Sequence, residues 1–254
     1  MPIALTRLPC PALADCQLTF IERQPIDHAR ALAQHAAYRA MLEGLGYRVV
    51  ALAARDDLPD SVFVEDAAIV LDECAIVPRM GNSARLLEAG LLAQECAKHR
   101  PLLLMDGVGR LDGGDVFRVG KELYAGRSSR SDDAGIAELG RLTAQFGYAV
   151  HALEVKGALH LKTAVTPLDD ATVLLNPDWI DPATLVARFD IIEVDPTEPF
   201  AANALRTAKG VVLPANAART IAKVRALGFN VIEFDQSELA KAEAGLTCMS
   251  VLID

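Results

Sequence analysis

Apolar residues recur along this chain in short runs, each broken by glycine, proline, aspartate or asparagine. Runs of that length, rich in Val, Ile and Leu, are what strands require. They fall into groups of three, and the groups repeat about every 45 residues, a period that marks a structural repeat. The first group covers 47–52, 61–70 and 74–77, and the second covers 102–105, 114–119 and 122–125. The third covers 149–153, 160–165 and 172–175, and the fourth 191–194, 203–207 and 211–214. The fifth, 230–234 and 246–253, lacks its third strand, which the N-terminal run 3–8 can supply.

Helical spacing appears between these strands. Over 31–45, Ala31, His35, Tyr38, Leu42 and Leu45 share one face, with Gly44 and Gly46 near the stop. Residues 83–98 predict a helix opened by Ser83 as N-cap. Over 133–146 the face is Ile136, Leu139, Thr143 and Phe146, ended by Gly147. Over 217–227 it is Ala217, Ile221, Val224 and Leu227, followed by Gly228, and 182–188 carries the weakest helical pattern. A unit this small cannot bury its own apolar face, so the units must stack on one another. Two α/β arrangements satisfy that need: a closed five-bladed α/β propeller sealed by the N-terminal strand, or an ordinary α/β sandwich. Without a Pro/Gly/Ser-rich linker, residues 1–254 read as one domain.

Composition narrows the function. The 254 residues are 52% hydrophobic and carry a formal charge of -9, with Lys and Arg scattered rather than clustered. That balance argues against nucleic-acid or anionic-membrane partners and suits a cationic small molecule. The five cysteines are widely spaced, without a CxxC or a Cys/His group of zinc spacing. The N-terminal apolar run is too short for a signal peptide, and none reaches the roughly 18 residues of a membrane span. A reducing cytoplasm is the compartment these features imply.

In a closed ring, equivalent positions face one channel. The second strand of each unit begins near Asp66, Asp115, His160, Asn203 and Cys248. A thiol, an imidazole and carboxylates converging on one point make a nucleophilic site, with Cys248 attacking and His160 as general acid/base. Alone, Cys248 reads as a core cysteine and His160 as a hydrogen-bonded core histidine; the shared register favours chemistry. His160 lies inside an apolar strand in this reading. Asp112 and Asp115 flank paired glycines, which either only make a turn or let backbone approach a ligand while the carboxylates grip a cation. In 58–66, Glu65 and Asp66 end an apolar strand, where planar carboxylates can grip a guanidinium bidentately. Arg85 and Arg130 are candidates for a substrate carboxylate, although each alone reads as an exposed surface residue.

The segments LPDSVFVEDAAIV, LDGGDVF, KELYAGRSSRSD, ALHLKT, FAANALR and AGLTCMSVLI, in this order, resemble the dimethylarginine dimethylaminohydrolases of the guanidine-modifying pentein superfamily. The resemblance runs nearly end to end. It implies a five-bladed α/β propeller and hydrolysis of Nω-methylated arginine to citrulline through a covalent cysteine adduct, with no metal or organic cofactor. It assigns Cys248 as nucleophile, His160 as general acid/base and Asp112 as the acid beside the histidine. Asp60, Glu65 and Asp66 become the acids around the guanidinium, and Arg85 and Arg130 the holders of the α-carboxylate. Leu18 falls at a mobile lid, and Ala242 and Glu243 where backbone carbonyls meet the substrate amine. Around Arg85 the chain reads Arg79-Met-Gly-Asn-Ser-Ala-Arg85-Leu, one basic residue fewer than the family pattern. A homodimer is compatible with this reading. The competing classes are a deiminase or other hydrolase of a different guanidine, a non-catalytic propeller, and a redox cysteine protein.

Overall fold

The computed structural model describes residues 1–253. Strand β1 (Ile3–Arg7) leads through helix α1 (His28–Gly44) to β2 (Arg48–Leu52). A hairpin of β3 (Ile69–Val70) and β4 (Ala75–Val77) is followed by α2 (Leu86–Cys96) and β5 (Leu102–Leu104). The pattern recurs as β6 (Val116–Val119), β7 (Glu122–Arg127), α3 (Asp133–Thr143) and β8 (Ala149–Glu154). The short helix α4 (Leu161–Ala164) precedes β9 (Val165–Pro167), β10 (Thr172–Leu175) and β11 (Asp190–Glu193). Next come β12 (Leu205–Thr207), β13 (Gly210–Pro214), α5 (Ala218–Ala226) and β14 (Val231–Phe234). The one-turn helix α6 (Ser237–Ala240) and strand β15 (Val251–Ile253) end the chain.

These strands make five three-stranded sheets of one topology: β15-β1-β2, β3-β4-β5, β6-β7-β8, β9-β10-β11 and β12-β13-β14. In each, the first two strands are antiparallel and the last two parallel. Antiparallel neighbours can be joined by a tight turn, whereas parallel neighbours need a crossover. Helices α1, α2, α3 and α5 are those crossovers, and a 3-10 turn, Pro182–Thr184, sits in the fourth. The helix pattern over 182–188 therefore amounts to a single turn.

The ring closes where β1 pairs antiparallel with β15, Ile3 opposite Ile253. The N-terminal strand thus seals the propeller as the repeat predicts, but the sheets are offset from the sequence groups. Each sheet takes the second and third strands of one group and the first strand of the next, because the crossover helix sits before that last strand. Residues from all five leading strands, among them Val70, Phe117, Thr166, Leu205 and Val251, line one central cavity of about 240 Å³.

The apolar core is divided into five clusters, and this is where the helical faces go. Ala31, His35, Tyr38 and Leu42 of α1 are buried, as are Ile136, Leu139 and Thr143 of α3. Leu227 departs from its expected face and is 63% exposed, because α5 ends one residue earlier and Gly228 turns the chain at φ 90. Ser83 is not the cap of the second helix. A 3-10 turn, Ser83–Arg85, precedes α2 and is capped by Asn82, which accepts from the Ala84 amide at 3.0 Å, while Arg85 stands at the N-cap of α2 itself without a side-chain capping bond.

Leu5 lies at the centre of the closing sheet and is fully buried. Leu5→Ala is expected to cost about 2–5 kcal/mol of unfolding free energy, measured by urea titration. A cost below about 1 kcal/mol would show that ring closure tolerates a loose seam.

Candidate active site

The residues singled out by the sequence do not stand on strands. Glu65, Asp66, Asp115 and Cys248 stand on, and Asp112, His160 and Asn203 directly flank, five short helical turns that precede the leading strands at one end of the channel: Val64–Ala67, Gly113–Asp115, Leu161–Ala164, Pro199–Ala202 and Thr247–Met249. Val64–Ala67 packs on Gly113–Asp115 and Thr247–Met249, while Leu161–Ala164 packs on Gly113–Asp115 and Pro199–Ala202. The expectation that Glu65 and Asp66 end a strand, and that His160 lies within one, is thereby corrected. Asp66 is in a 3-10 turn, and His160 is the N-cap residue of α4 with extended backbone. A turn directs consecutive side chains around an axis, so the chain can aim Glu65 and Asp66 at different partners.

His160 Nε2 lies 3.0 Å from Asp112 Oδ2, and its Nδ1 lies 3.6 Å from Asp66 Oδ1. All three side chains are buried. Asp112 also accepts from the Gly81 amide at 2.7 Å. Burial alone would discharge the imidazole, but the carboxylates of Asp66, Asp115 and Asp112 outweigh it and push His160 up to about 9. Burial likewise opposes charge on Asp66, yet His160 and Arg85 hold its carboxyl below the usual range. The nearest ligand atoms of Asp66, Asp112 and His160 lie within 4.8 Å of one another, a spacing a metal can use. The three groups are also within ion-pair reach of one another, Asp66 and Asp112 on either side of the ring.

Cys248 is 8% exposed, and its Sγ accepts from the Gly245 amide at 3.2 Å. Burial, then the negative charges of Glu65 and Asp66, push the thiol far up, so it rests protonated. The loop carrying it is fixed from α1, where Tyr38 Oη donates to the Leu246 carbonyl at 2.8 Å and lies 2.8 Å from Ser250 Oγ. Asn203 holds it from the fourth turn, accepting from Thr247 N at 2.9 Å and donating to Thr247 Oγ1 at 3.0 Å.

Two carboxylates meet the segment around Leu18. Asp60 accepts from the Gln17 amide at 3.1 Å, and Glu243 accepts from the amides of Thr19 and Phe20 at 2.7 and 3.0 Å. Leu18 is half-buried against a cluster that includes Phe63 and Ala242. Glu243 sits at φ 61 in the left-handed region, strained for a residue with a Cβ, which turns the Ala242–Glu243 backbone sharply.

Two of the acid and arginine assignments meet competing partners. Glu65 is committed to Lys162 Nζ at 2.6 Å and to the Thr247 hydroxyl at 2.5 Å, and it borders the central channel. Arg85 is not a surface residue: its side chain is 4% exposed. It donates to Asp66 Oδ2 at 2.6 Å, to both oxygens of Glu88 and to the carbonyls of Asp60 and Phe63 at 3.2 Å. Every nitrogen of that guanidinium is engaged. Arg130 is also buried, but its Nη1 makes no hydrogen bond among the described residues and stands 4.0 Å from Asp112. Sequence reasoning missed Glu88, Lys162 and Thr247. Glu88 was legible as the i+3 partner of Arg85; nothing in the chain pointed from Lys162 to Glu65.

The paired glycines also have a steric reason. A Cβ on Gly114 would stand 2.8 Å from His160 Nδ1 and 2.5 Å from Asp66 Oδ1, and one on Gly113 would stand 2.1 Å from the Glu65 carbonyl.

Five sheets around a channel, with a thiol, an imidazolium and carboxylates gathered on the turns at its mouth, define a guanidine-modifying pentein. The arginine deiminase family model matches residues 53–200. The N(G),N(G)-dimethylarginine dimethylaminohydrolase of Streptomyces coelicolor is 35% identical, over 98% of this chain and 95% of its own length. The solved dimethylarginine dimethylaminohydrolase of Pseudomonas aeruginosa, a cysteine-to-serine mutant complexed with citrulline, is 30% identical, covers 98% of both chains and superposes with a TM-score of 0.93. A dimethylarginine dimethylaminohydrolase with histidine replaced by glycine, in adduct with S-methyl-L-thiocitrulline, is 30% identical over 98% of both chains, with a TM-score of 0.92. The chain belongs to the arginine deiminase family and, within it, to the dimethylarginine dimethylaminohydrolases.

Gly114→Ala is expected to keep the far-ultraviolet circular dichroism of the native protein while lowering kcat about 100-fold by displacing the imidazole. Retained kcat would mean that His160 tolerates a shifted ring. A second expectation concerns stability. The folded His160 is raised from 6.5 to about 9, so its contribution is complete below pH 6.5 and is lost as pH rises through 9. Urea unfolding at pH 6.5 and 9.5 should show a decline on the order of 3 kcal/mol that is missing in His160→Gln.

Proposed function

We propose that the protein hydrolyses Nω-methylated L-arginine to L-citrulline and the corresponding methylamine, with Cys248 as nucleophile. The observation that carries this reading is Asp66 Oδ1, a buried carboxylate oxygen without a hydrogen bond among the described residues, facing His160 beside a thiol in a negative pocket. With His160 at ion-pair distance but no hydrogen bond made, that buried acceptor has room for a further donor. A guanidinium supplies planar N–H groups to Asp66, and its positive charge offsets the carboxylates that hold the thiol protonated.

In this reaction the thiol loses its proton to solvent as substrate binds, and Sγ bonds to the guanidinium carbon. His160, already protonated, gives its proton to the departing amine as the C–N bond breaks, leaving a planar S-alkylthiouronium. The neutral imidazole, steadied by Asp112, then takes a proton from water. The hydroxide adds to the same carbon, the C–S bond breaks, and citrulline leaves with the thiol restored. Apart from the thiol proton lost to solvent, His160 carries the proton to the leaving amine and takes the one from water.

Substrate contacts follow from what each group has left to offer. Arg130 has an uncommitted donor and takes the α-carboxylate. Arg85 holds Asp66 in place rather than touching substrate, and Glu65 with Lys162 stops the channel below the thiol. Asp60 stands at the segment around Leu18, where it meets both lid and substrate. The carbonyls of Ala242 and Glu243 face the α-amine. Five unpaired cysteines fit a reducing compartment, which supports a cytoplasmic location.

The test is citrulline release from asymmetric dimethylarginine, monomethylarginine and arginine, with Cys248→Ala as control. The expected result is citrulline from the methylated substrates and a drop of at least about 10⁴-fold in the variant. Turnover of arginine alone would transfer the same chemistry to deimination. Iodoacetamide should alkylate Cys248 slowly at pH 7 and faster as pH rises. Rapid alkylation of the free protein at pH 7 would contradict a resting thiol.

A further inference from the structure

Asp115 lies outside the mechanism above, yet three of the site's backbones hang from it. Its side chain is fully buried. Its Oδ1 accepts from the amide of Leu161 at 2.7 Å, the residue directly after His160. Its Oδ2 accepts from the hydroxyls of Ser128 and Ser131, each at 2.6 Å. Ser131 Oγ in turn accepts from the amide of Asp112 at 3.1 Å. Ser128 Oγ accepts from the amides of Arg130 at 3.0 Å and Ser131 at 3.2 Å. Each serine oxygen is thus occupied as an acceptor by backbone, and its single proton goes to Asp115. Burial pushes the Asp115 carboxyl up to about 6, against the pull of His160 and of the Ser128 and Ser131 donors, so the group is ionised above that pH. Space is reserved for it, since a Cβ on Gly126 would stand 2.8 Å from Asp115 Oδ1 and 2.8 Å from Leu161 Cβ.

We propose that Asp115 is a positioning residue for the His160–Asp112 pair, anchoring the backbones of Asp112, Arg130 and Leu161 through one buried network and setting a third negative charge beside the imidazole. This rests on the reading of His160 as the proton carrier. The charged groups around that ring are Asp66 at Nδ1, Asp112 at Nε2, Arg85 against Asp66, Arg130 against Asp112, and Lys162 with Glu65 on the adjoining turns. Asp115 acts on the ring through the α4 amide and through charge, so it shares the burden of keeping His160 cationic without touching substrate.

Asp115→Asn is the informative change. It preserves size and an oxygen for Leu161, removes the charge, and points an NH2 group at a Ser128 oxygen that already accepts two amides. In full-length protein with 15N-labelled histidine, the His160 signal, identified by its loss in His160→Gln, is titrated by NMR. The expected midpoint falls by about one pH unit. The alkaline limb of kcat falls with it, so the ratio of wild-type to variant rate widens between pH 7 and pH 9. A merely structural role would lower kcat by the same factor at every pH and leave the midpoint in place, which overturns the proposal. Should Asp115→Asn not fold, Ser131→Ala is judged by the same titration, with a smaller fall expected and an unmoved midpoint again decisive. The NMR reading needs no turnover, so failure of the proposed reaction and failure of this inference remain separate.

Discussion

Charges alternate through the dry centre of the ring, and the rest of the site is arranged around that alternation. Glu88, Arg85, Asp66, His160, Asp112 and Arg130 follow one another, each within ion-pair reach of the next. Buried ions are tolerable only when paired and hydrogen-bonded, and removing one partner strands the other. The sequence of charges therefore fixes geometry: the imidazole cannot rotate without separating from one carboxylate, and Asp66 cannot swing without leaving Arg85. The chain of pairs is incomplete at Asp66 Oδ1 and at Arg130 Nη1, each without a hydrogen bond among the described residues. A zwitterionic substrate with a guanidinium at one end and a carboxylate at the other suits both deficits.

The same field explains why the thiol rests protonated. Glu65 and Asp66 disfavour a thiolate, and burial adds to them. A thiol in this form is a poor nucleophile, and a cation bound beside these carboxylates would lower its pKa. The Glu65–Lys162 pair cancels part of that field and lies between the thiol's neighbour Thr247 and the channel. The thiol's protonation state here rests on a balance of charges that a single neutral substitution alters.

The fold repeats five times, but the chemistry does not. Five sheets share one topology, and five short turns end at one mouth. Because the turns lie outside the sheets' hydrogen-bonded ladders, their side chains are free to differ. One turn contributes the thiol, the start of another the imidazole, and others Asp66, Asp115 and the Asn203 that holds Thr247. Symmetry supplies the convergence; local departures from it supply the reaction.

Much of this was legible in the chain alone. Short Val/Ile/Leu-rich runs, glycine stops and helical spacing mark the strands and crossovers, because these preferences act between residues close in sequence. The N-terminal strand closed the ring as the missing member of the fifth group required. The order and spacing of the motifs singled out Cys248, His160, Asp112 and Asp66. The turns were misread as strands, since apolar residues in a buried 3-10 turn look like those in a buried strand and only the path of the backbone separates them. Which charge pairs with which was decided by tertiary structure. Glu65 finds Lys162, and Asp115 gathers Ser128, Ser131 and Leu161, across intervals that no local rule spans. Sequence determines which ionisable groups the chain carries toward the centre. Only the closed ring, by excluding water and setting distances of a few ångströms, decides which become partners and which are left open to a ligand.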